Sequence, residues 1–112
     1  MICLQHRHIL SSLDSFTDIY KLNSHDALYL IMPLYHTHSL IAGLLSALFS
    51  GGSVILPPKY NVTLFWKDVL SEKCTWCTAT PWFYSLLLKK VKETYPGKSG
   101  KLRFLRTCGA YM

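Results

Sequence analysis

Ala27-Leu28-Tyr29-Leu30-Ile31-Met32-Pro33-Leu34-Tyr35-His36-Thr37-His38 is the stretch on which the fold turns. Its first six residues are apolar without alternation and are stopped by a proline. A run of that length, with no polar face, reads as a strand buried on both sides. Such strands belong to parallel sheets covered by helices. Beyond the proline stand two imidazoles one residue apart, where the strand hands over to the next element.

The flanks fit the same picture. Upstream, Ile9, Leu10, Leu13, Phe16 and Tyr20 recur at three- and four-residue spacing, which predicts a helix over His8 to Tyr20. Downstream, Ser39 to Ser50 is apolar nearly all round and ends in Gly51-Gly52, a helix with a glycine stop. Ser53 to Leu56 reads as a short strand closed by Pro57-Pro58. Asn61 or Thr63 can cap a helix running to Lys73, with Leu64, Phe65, Val69 and Leu70 inward. Thr75 to Ala79 is a third strand, and Pro81 opens a helix that continues to Tyr95 before Pro96-Gly97. Arg103 to Thr107 is a fourth strand. The order α-β-α-β-α-β-α-β predicts an α/β fold: a partial doubly wound, mainly parallel sheet with right-handed helical crossovers. The chain stops five residues after Thr107 and starts on a helix with no strand before it. Residues 1–112 therefore read as a segment cut from a larger domain.

The chain has 112 residues, half of them hydrophobic and 16% charged, which fits a packed core and excludes a disordered chain. Its net charge of +6 sits entirely between Lys89 and Met112, where seven basic residues face only Glu93. Cations collect near helix C-termini, and no groove-reading motif accompanies them, so a nucleic-acid partner is not expected. The longest apolar stretch, Leu40 to Phe49, is too short to span a bilayer. No secretory signal opens the chain, which points to a cytoplasmic protein.

Cys74-Thr-Trp-Cys77 has C-x-x-C spacing, but Cys3 and Cys108 offer no paired partner for a zinc site. On a strand the two thiols would face opposite ways, so all four cysteines read as reduced and no metal is expected. His36-Thr37-His38 has the spacing of a metal clamp but lacks a third ligand nearby. There is no nucleophile elbow, no G-x-x-x-x-G-K and no G-x-G-x-x-G, so no catalytic residue is assigned.

In an open parallel sheet, ligands bind at the carboxyl edge of the strands. The loops there are Pro33 to His38, Pro57 to Tyr60, Thr80-Pro81-Trp82 and Cys108-Gly109-Ala110. His36, His38 and Thr80 are residues suited to a pocket wall. A backbone-bonded structural histidine remains the alternative for His36.

Leu30 to Leu45, with its strand, Pro-Leu-Tyr-His and apolar helix, resembles a signature of the adenylate-forming superfamily of acyl-CoA synthetases and 4-coumarate–CoA ligases. Gly51-Gly-Ser-Val-Ile-Leu-Pro-Pro-Lys-Tyr60, Phe65-Trp66, Cys74 to Pro81 and Lys101 to Cys108 follow in the family's order. The wording at Thr75-Trp76 and Leu102-Arg-Phe104 is closest to the oxalate–CoA ligase branch. The resemblance implies that residues 1–112 are a fragment of the N-terminal AMP-binding domain. It also implies that His36 and His38 line the acyl pocket, and that Cys108, Gly109 and Ala110 form the turn bordering the adenine.

The parent reaction joins a small carboxylate to CoA with ATP and magnesium. By the same resemblance, the phosphate loop falls just before Leu4, and the magnesium-holding Thr-Glu motif falls beyond Met112. The ribose-binding Asp and the C-terminal domain's Lys fall beyond Met112 too. Tyr111 stands where the family has Pro or a small residue, crowding the adenine turn. Relatives include peroxisomal enzymes, but Ala110-Tyr111-Met112 carries no peroxisomal address. The segment alone is expected to be inactive and to bind none of these cofactors tightly. The alternative is a non-catalytic remnant or a small α/β interaction module.

Overall fold

A computed structural model describes residues 1–59 and 61–109. Four strands form one sheet in the order β2-β1-β3-β4, every neighbouring pair parallel: β1 (Ala27–Tyr29), β2 (Ser53–Ile55), β3 (Trp76–Ala79) and β4 (Phe104–Thr107). Register places Leu28 beside both Val54 and Trp76, and Trp76 beside Phe104.

Helices cover both faces. α1 (His6–Tyr20) packs with a helix spanning residues 37–49, made of α2 (Thr37–Ser39), a π-helical turn (Leu40–Leu45) and α3 (Ser46–Phe49). Beneath them Leu28, Leu30, Trp76, Leu22 and Ala47 form one core cluster. On the other face lie α4 (Phe65–Ser71) and α5 (Pro81–Lys89). There Tyr29, Phe65, Val69, Cys77, Phe83 and Leu87 form a second cluster. The continuous apolar run at β1 thus splits by alternation, Leu28 and Leu30 to one core, Tyr29 and Ile31 to the other.

Several boundaries differ from expectation. β1 closes its ladder at Tyr29, although Leu30 and Ile31 remain buried and the Leu30 N–H still donates to the Ile55 carbonyl at 3.0 Å. The 37–49 helix starts two residues earlier than the apolar pattern, which places His38 in its first turn. Asn61 does cap, its side chain accepting from the Thr63 N–H at 2.9 Å, but it caps a 3-10 turn (Val62–Leu64) that leads into α4. Leu64, expected inward, is exposed because it belongs to that turn. The helix opened by Pro81 breaks at Lys90 and resumes as α6 (Val91–Thr94).

Cys74 also departs from its expected placing. It precedes β3 and escapes strand alternation, so its thiol and that of Cys77 share one core. Both are free, and burial pushes them up to about 11 and about 12.

The amino edge of the sheet is tied together by Asp26. Its carboxylate accepts from Arg103 Nε (2.9 Å), Arg103 Nη2 (2.7 Å), Thr75 Oγ1 (2.7 Å) and the Asn23 N–H (3.1 Å). Burial would raise this carboxyl, but those donors and the Arg103 charge outweigh it and hold it below the ordinary range. Gly52 fits against the same corner, where an added Cβ would stand 2.7 Å from the Asp26 carbonyl oxygen.

Candidate acyl site at the carboxyl edge

The opposite edge gathers the residues singled out from sequence. A cavity of about 400 Å³ opens there, walled by Met32, His36, His38, Ser39, Thr80 and the Cys108–Gly109 turn. Three of the four carboxyl-edge loops meet in it. The Pro57-Pro58-Lys59 loop follows edge strand β2 and does not line it. Ala110 and Tyr111 lie outside the described residues.

His36 is exposed and stands at the N-cap of the 37–49 helix without using its side chain as a cap. Its backbone carries the turn, accepting from the Ser39 and Leu40 N–H groups at 3.1 and 3.0 Å, while its ring lies 4.6 Å from that of Tyr35. Neither ring nitrogen has a hydrogen-bond partner among the described residues, and the residue lines the cavity. Thr80 precedes Pro81, caps α5 by position only, and leaves its side chain likewise uncommitted to the helix.

His38 is half-buried and differently employed. Its Nε2 lies 2.6 Å from Thr78 Oγ1. Thr78 is fully buried and also accepts from Arg106 Nη1 at 3.0 Å. Because Arg106 can only donate, the Thr78 hydroxyl hydrogen is free to point at His38. With that hydrogen on the His38 side, Nε2 is the acceptor and the neutral ring carries its proton on Nδ1; turned away, Thr78 accepts from both neighbours. Burial, then the charges of Arg106 and His36, hold His38 below the ordinary histidine value.

Two contributors were not legible as site residues. Ser39 is fully buried, lines the cavity, and its hydroxyl has no hydrogen-bond partner among the described residues. Arg106 sits on β4 on the same face as Phe104, while Leu105 and Thr107 face the α5 side. The signal was present in the alternation Phe104-x-Arg106, a cation at a core-facing strand position. The π-helical turn is also functional in placement. Its Gly43 brings the helix close over the sheet, where an added Cβ would be 3.2 Å from Leu30 Cδ1 and 3.5 Å from Thr78 Cγ2.

A parallel α/β segment with a cavity at its carboxyl edge has the arrangement in which doubly wound folds bind ligands. The comparisons with known proteins narrow this. The model of the AMP-binding enzyme family matches residues 1–112, and the chain belongs to that family. It is 38% identical over 109 residues to the probable CoA ligase CCL9 of Humulus lupulus, covering 92% of this chain and 20% of that one. It is 36% identical over 105 residues to the oxalate–CoA ligase of Arabidopsis thaliana, with the same coverages. Among solved structures, ATP-bound MatB from Rhodopseudomonas palustris superposes with a TM-score of 0.77 at 28% identity, over 91% of this chain and 20% of that chain. The chain thus spans about one fifth of the length of the curated relatives it matches. No helix among the described residues is long and apolar enough to cross a membrane.

Proposed function

We propose that this segment is the acyl-side wall of an ATP-dependent CoA ligase acting on a small carboxylate. The observation that carries the reading is the convergence of His36, His38, Thr80 and Cys108–Gly109 on one cavity, from three separate loops. In the reaction, a carboxylate oxygen attacks the α-phosphorus of ATP, and the α–β phosphate bond breaks to release pyrophosphate. The CoA thiol then attacks the acyl carbon of the adenylate, loses its proton and displaces AMP.

In this scheme the segment positions the acyl group. His36, whose ring nitrogens have no partner among the described residues, donates to the carboxylate or to the adenylate phosphate. The neutral His38 and the Ser39 hydroxyl set the polarity of the wall. Gly109 has a φ of +99° and no described residue within 4 Å of an added Cβ, which suits close approach by a flat base. Magnesium does not fit here: no carboxylate lines the cavity, and the described residues hold no cluster of three metal-ligating side chains. No step is assigned to that ion on this segment.

The reading is tested by ATP–pyrophosphate exchange. The 112-residue chain alone is expected to give background exchange with any carboxylate. Grafted in place of the matching segment of the Arabidopsis oxalate–CoA ligase, it is expected to support exchange. A folded graft that exchanges with no carboxylate overturns the acyl-wall reading. Exchange by the chain alone overturns its assignment as a wall only.

A further inference from the structure

The helix that carries the cavity wall does not keep one register. Thr37–Ser39 is α-helical, Leu40–Leu45 is a π-helical turn, and Ser46–Phe49 is α-helical again. The Ser46 N–H donates to the Ile41 carbonyl, five residues back, and the buried Ser46 hydroxyl donates to the same oxygen at 2.8 Å. A π turn spans one residue more than the α turn it replaces. Counted back from Ser46 along an unbroken α-helix, Ser39 would therefore take the place of His38, and Thr37 that of His36.

Both residues suit those places. Ser39 is fully buried, and its hydroxyl has no partner among the described residues. It stands one helix position from the place that meets Thr78 Oγ1, which His38 Nε2 now fills at 2.6 Å. His36 is the N-cap and makes no side-chain cap bond, whereas the next residue, Thr37, is of a type that caps helices well. An all-α register thus gives partners to two hydroxyls that the observed register leaves idle.

We propose that this helix has two registers and that the π turn is where it changes between them. In the register described above, His36 and His38 line the acyl cavity, held by the His38–Thr78 bond and the Ser46 latch. In the second, the residues ahead of the turn advance by one place, about 100° and 1.5 Å. Thr37 then caps the helix and Ser39 meets Thr78. The change trades two imidazoles for two hydroxyls on the wall, so register sets the width and polarity of the cavity. As a control on acyl binding this rests on the acyl-wall reading; the two registers themselves do not.

Helix register shifts fall in the microsecond-to-millisecond range, which NMR relaxation dispersion reads on the 112-residue chain. Amides of residues 37–45 and the His38 ring are expected to share one rate and one minor population. Ser46→Ala removes the latch and is expected to raise that population about fivefold, the worth of one hydrogen bond. Thr37→Val removes the cap of the second register and is expected to lower it by a similar factor. Deletion of exposed Leu40 takes out the extra residue. It should leave an α-helix with His38 still on Thr78 and no dispersion.

Flat dispersion in both the parent and Ser46→Ala overturns the proposal. So does dispersion that survives the Leu40 deletion, or a change of the same sign in Ser46→Ala and Thr37→Val. Thr37 is exposed, so its variant keeps the test in force should the deletion not fold. Pyrophosphate release by the graft reports on the other reading. A folded graft that shows both registers and adenylates no carboxylate sinks the ligase reading and leaves the register change standing.

Discussion

Arg103 and Arg106 stand three residues apart, one just before β4 and one within it, and they meet opposite circumstances at the two edges of the sheet. At the amino edge, Arg103 closes a two-pronged ion pair on buried Asp26, whose remaining lone pairs are taken by Thr75 and the Asn23 N–H. At the carboxyl edge, Arg106 reaches two neutral oxygens and has no acidic partner among the described residues, beside a buried Ser39 hydroxyl that also lacks one. Folding pairs the whole Asp26 carboxylate at one edge and leaves the Ser39 hydroxyl without a partner among the described residues at the cavity of the other. The carboxyl edge is the one where open parallel sheets bind ligands. The Asp26 network at the far edge fastens the fold.

The largest effect should come from breaking the fastening. Arg103→Leu leaves the Asp26 carboxylate buried without its cation. We expect a loss of roughly 3 kcal/mol in urea denaturation, at the low end for a buried pair because Arg103 is 38% exposed. Its pH dependence identifies the cause. The Asp26 carboxyl is held below its ordinary 3.8 in the fold, so its contribution is full above that value and fades as pH falls through the lower folded value. In the variant, burial without Arg103 raises the same carboxyl. The stability gap between the two proteins should therefore narrow below about pH 4. A gap that stays constant to pH 2 would assign the loss to packing.

Gly52→Ala attacks the same corner through backbone contact. The new Cβ would sit 2.7 Å from the Asp26 carbonyl oxygen and 3.3 Å from those of Ala47 and Asn23, none of which is the free end of a side chain. A cost of about 1–3 kcal/mol is expected, in the range of overpacked sites. A melting temperature within a degree of the parent would show that the corner yields.

The carboxyl edge should behave the other way, with function moving and stability not. His36→Ala in the graft is expected to lower kcat/KM for adenylation by about one to two powers of ten. Its melting temperature should hardly change, because the exposed ring makes no cap bond. Normal kinetics with a lowered melting temperature would return His36 to a structural role.

The fold was largely readable because its signals are local. Pro33 and Pro81 punctuate, Gly51-Gly52 stops a helix, and the run from Ala27 to Met32 has no polar face. The site was readable only where position alone decides it. His36, His38 and Thr80 follow strand ends, so topology carries them to one edge. Ser39 and Arg106 were missed for a different reason. A serine inside an apolar helix and an arginine in a basic tail look ordinary until the helix and strand are packed together. Arg106 counted as part of the +6 of the last 24 residues, where only its alternation with Leu105 and Thr107 set it apart. Cys74 shows the converse, since it lies two residues upstream of β3 and strand alternation does not reach it.

The smallest effect is also the most local, and it tests whether the two histidines of the site are as different as the two arginines. Where His38 Nε2 accepts from Thr78, with Arg106 holding Thr78 from the other side, a second ring proton would turn the acceptor into another cationic donor on one hydroxyl. Burial first, then Arg106, then His36, keep its titration below the ordinary 6.5. The sign follows from which form the fold prefers. The neutral ring fits, so the stability it permits is complete above pH 6.5 and erodes as pH falls through the lower folded value. Arg106→Gln removes the nearer charge but not the burial. In that variant His38 should titrate closer to 6.5 without reaching it. Nitrogen-detected NMR titration reads both the midpoint and the tautomer, with the proton expected on Nδ1. A midpoint at or above 6.5 in the parent would break the chain from His38 through Thr78 to Arg106. A midpoint that does not move in Arg106→Gln would show that burial alone sets it, leaving Arg106 coupled to this corner through Thr78 only.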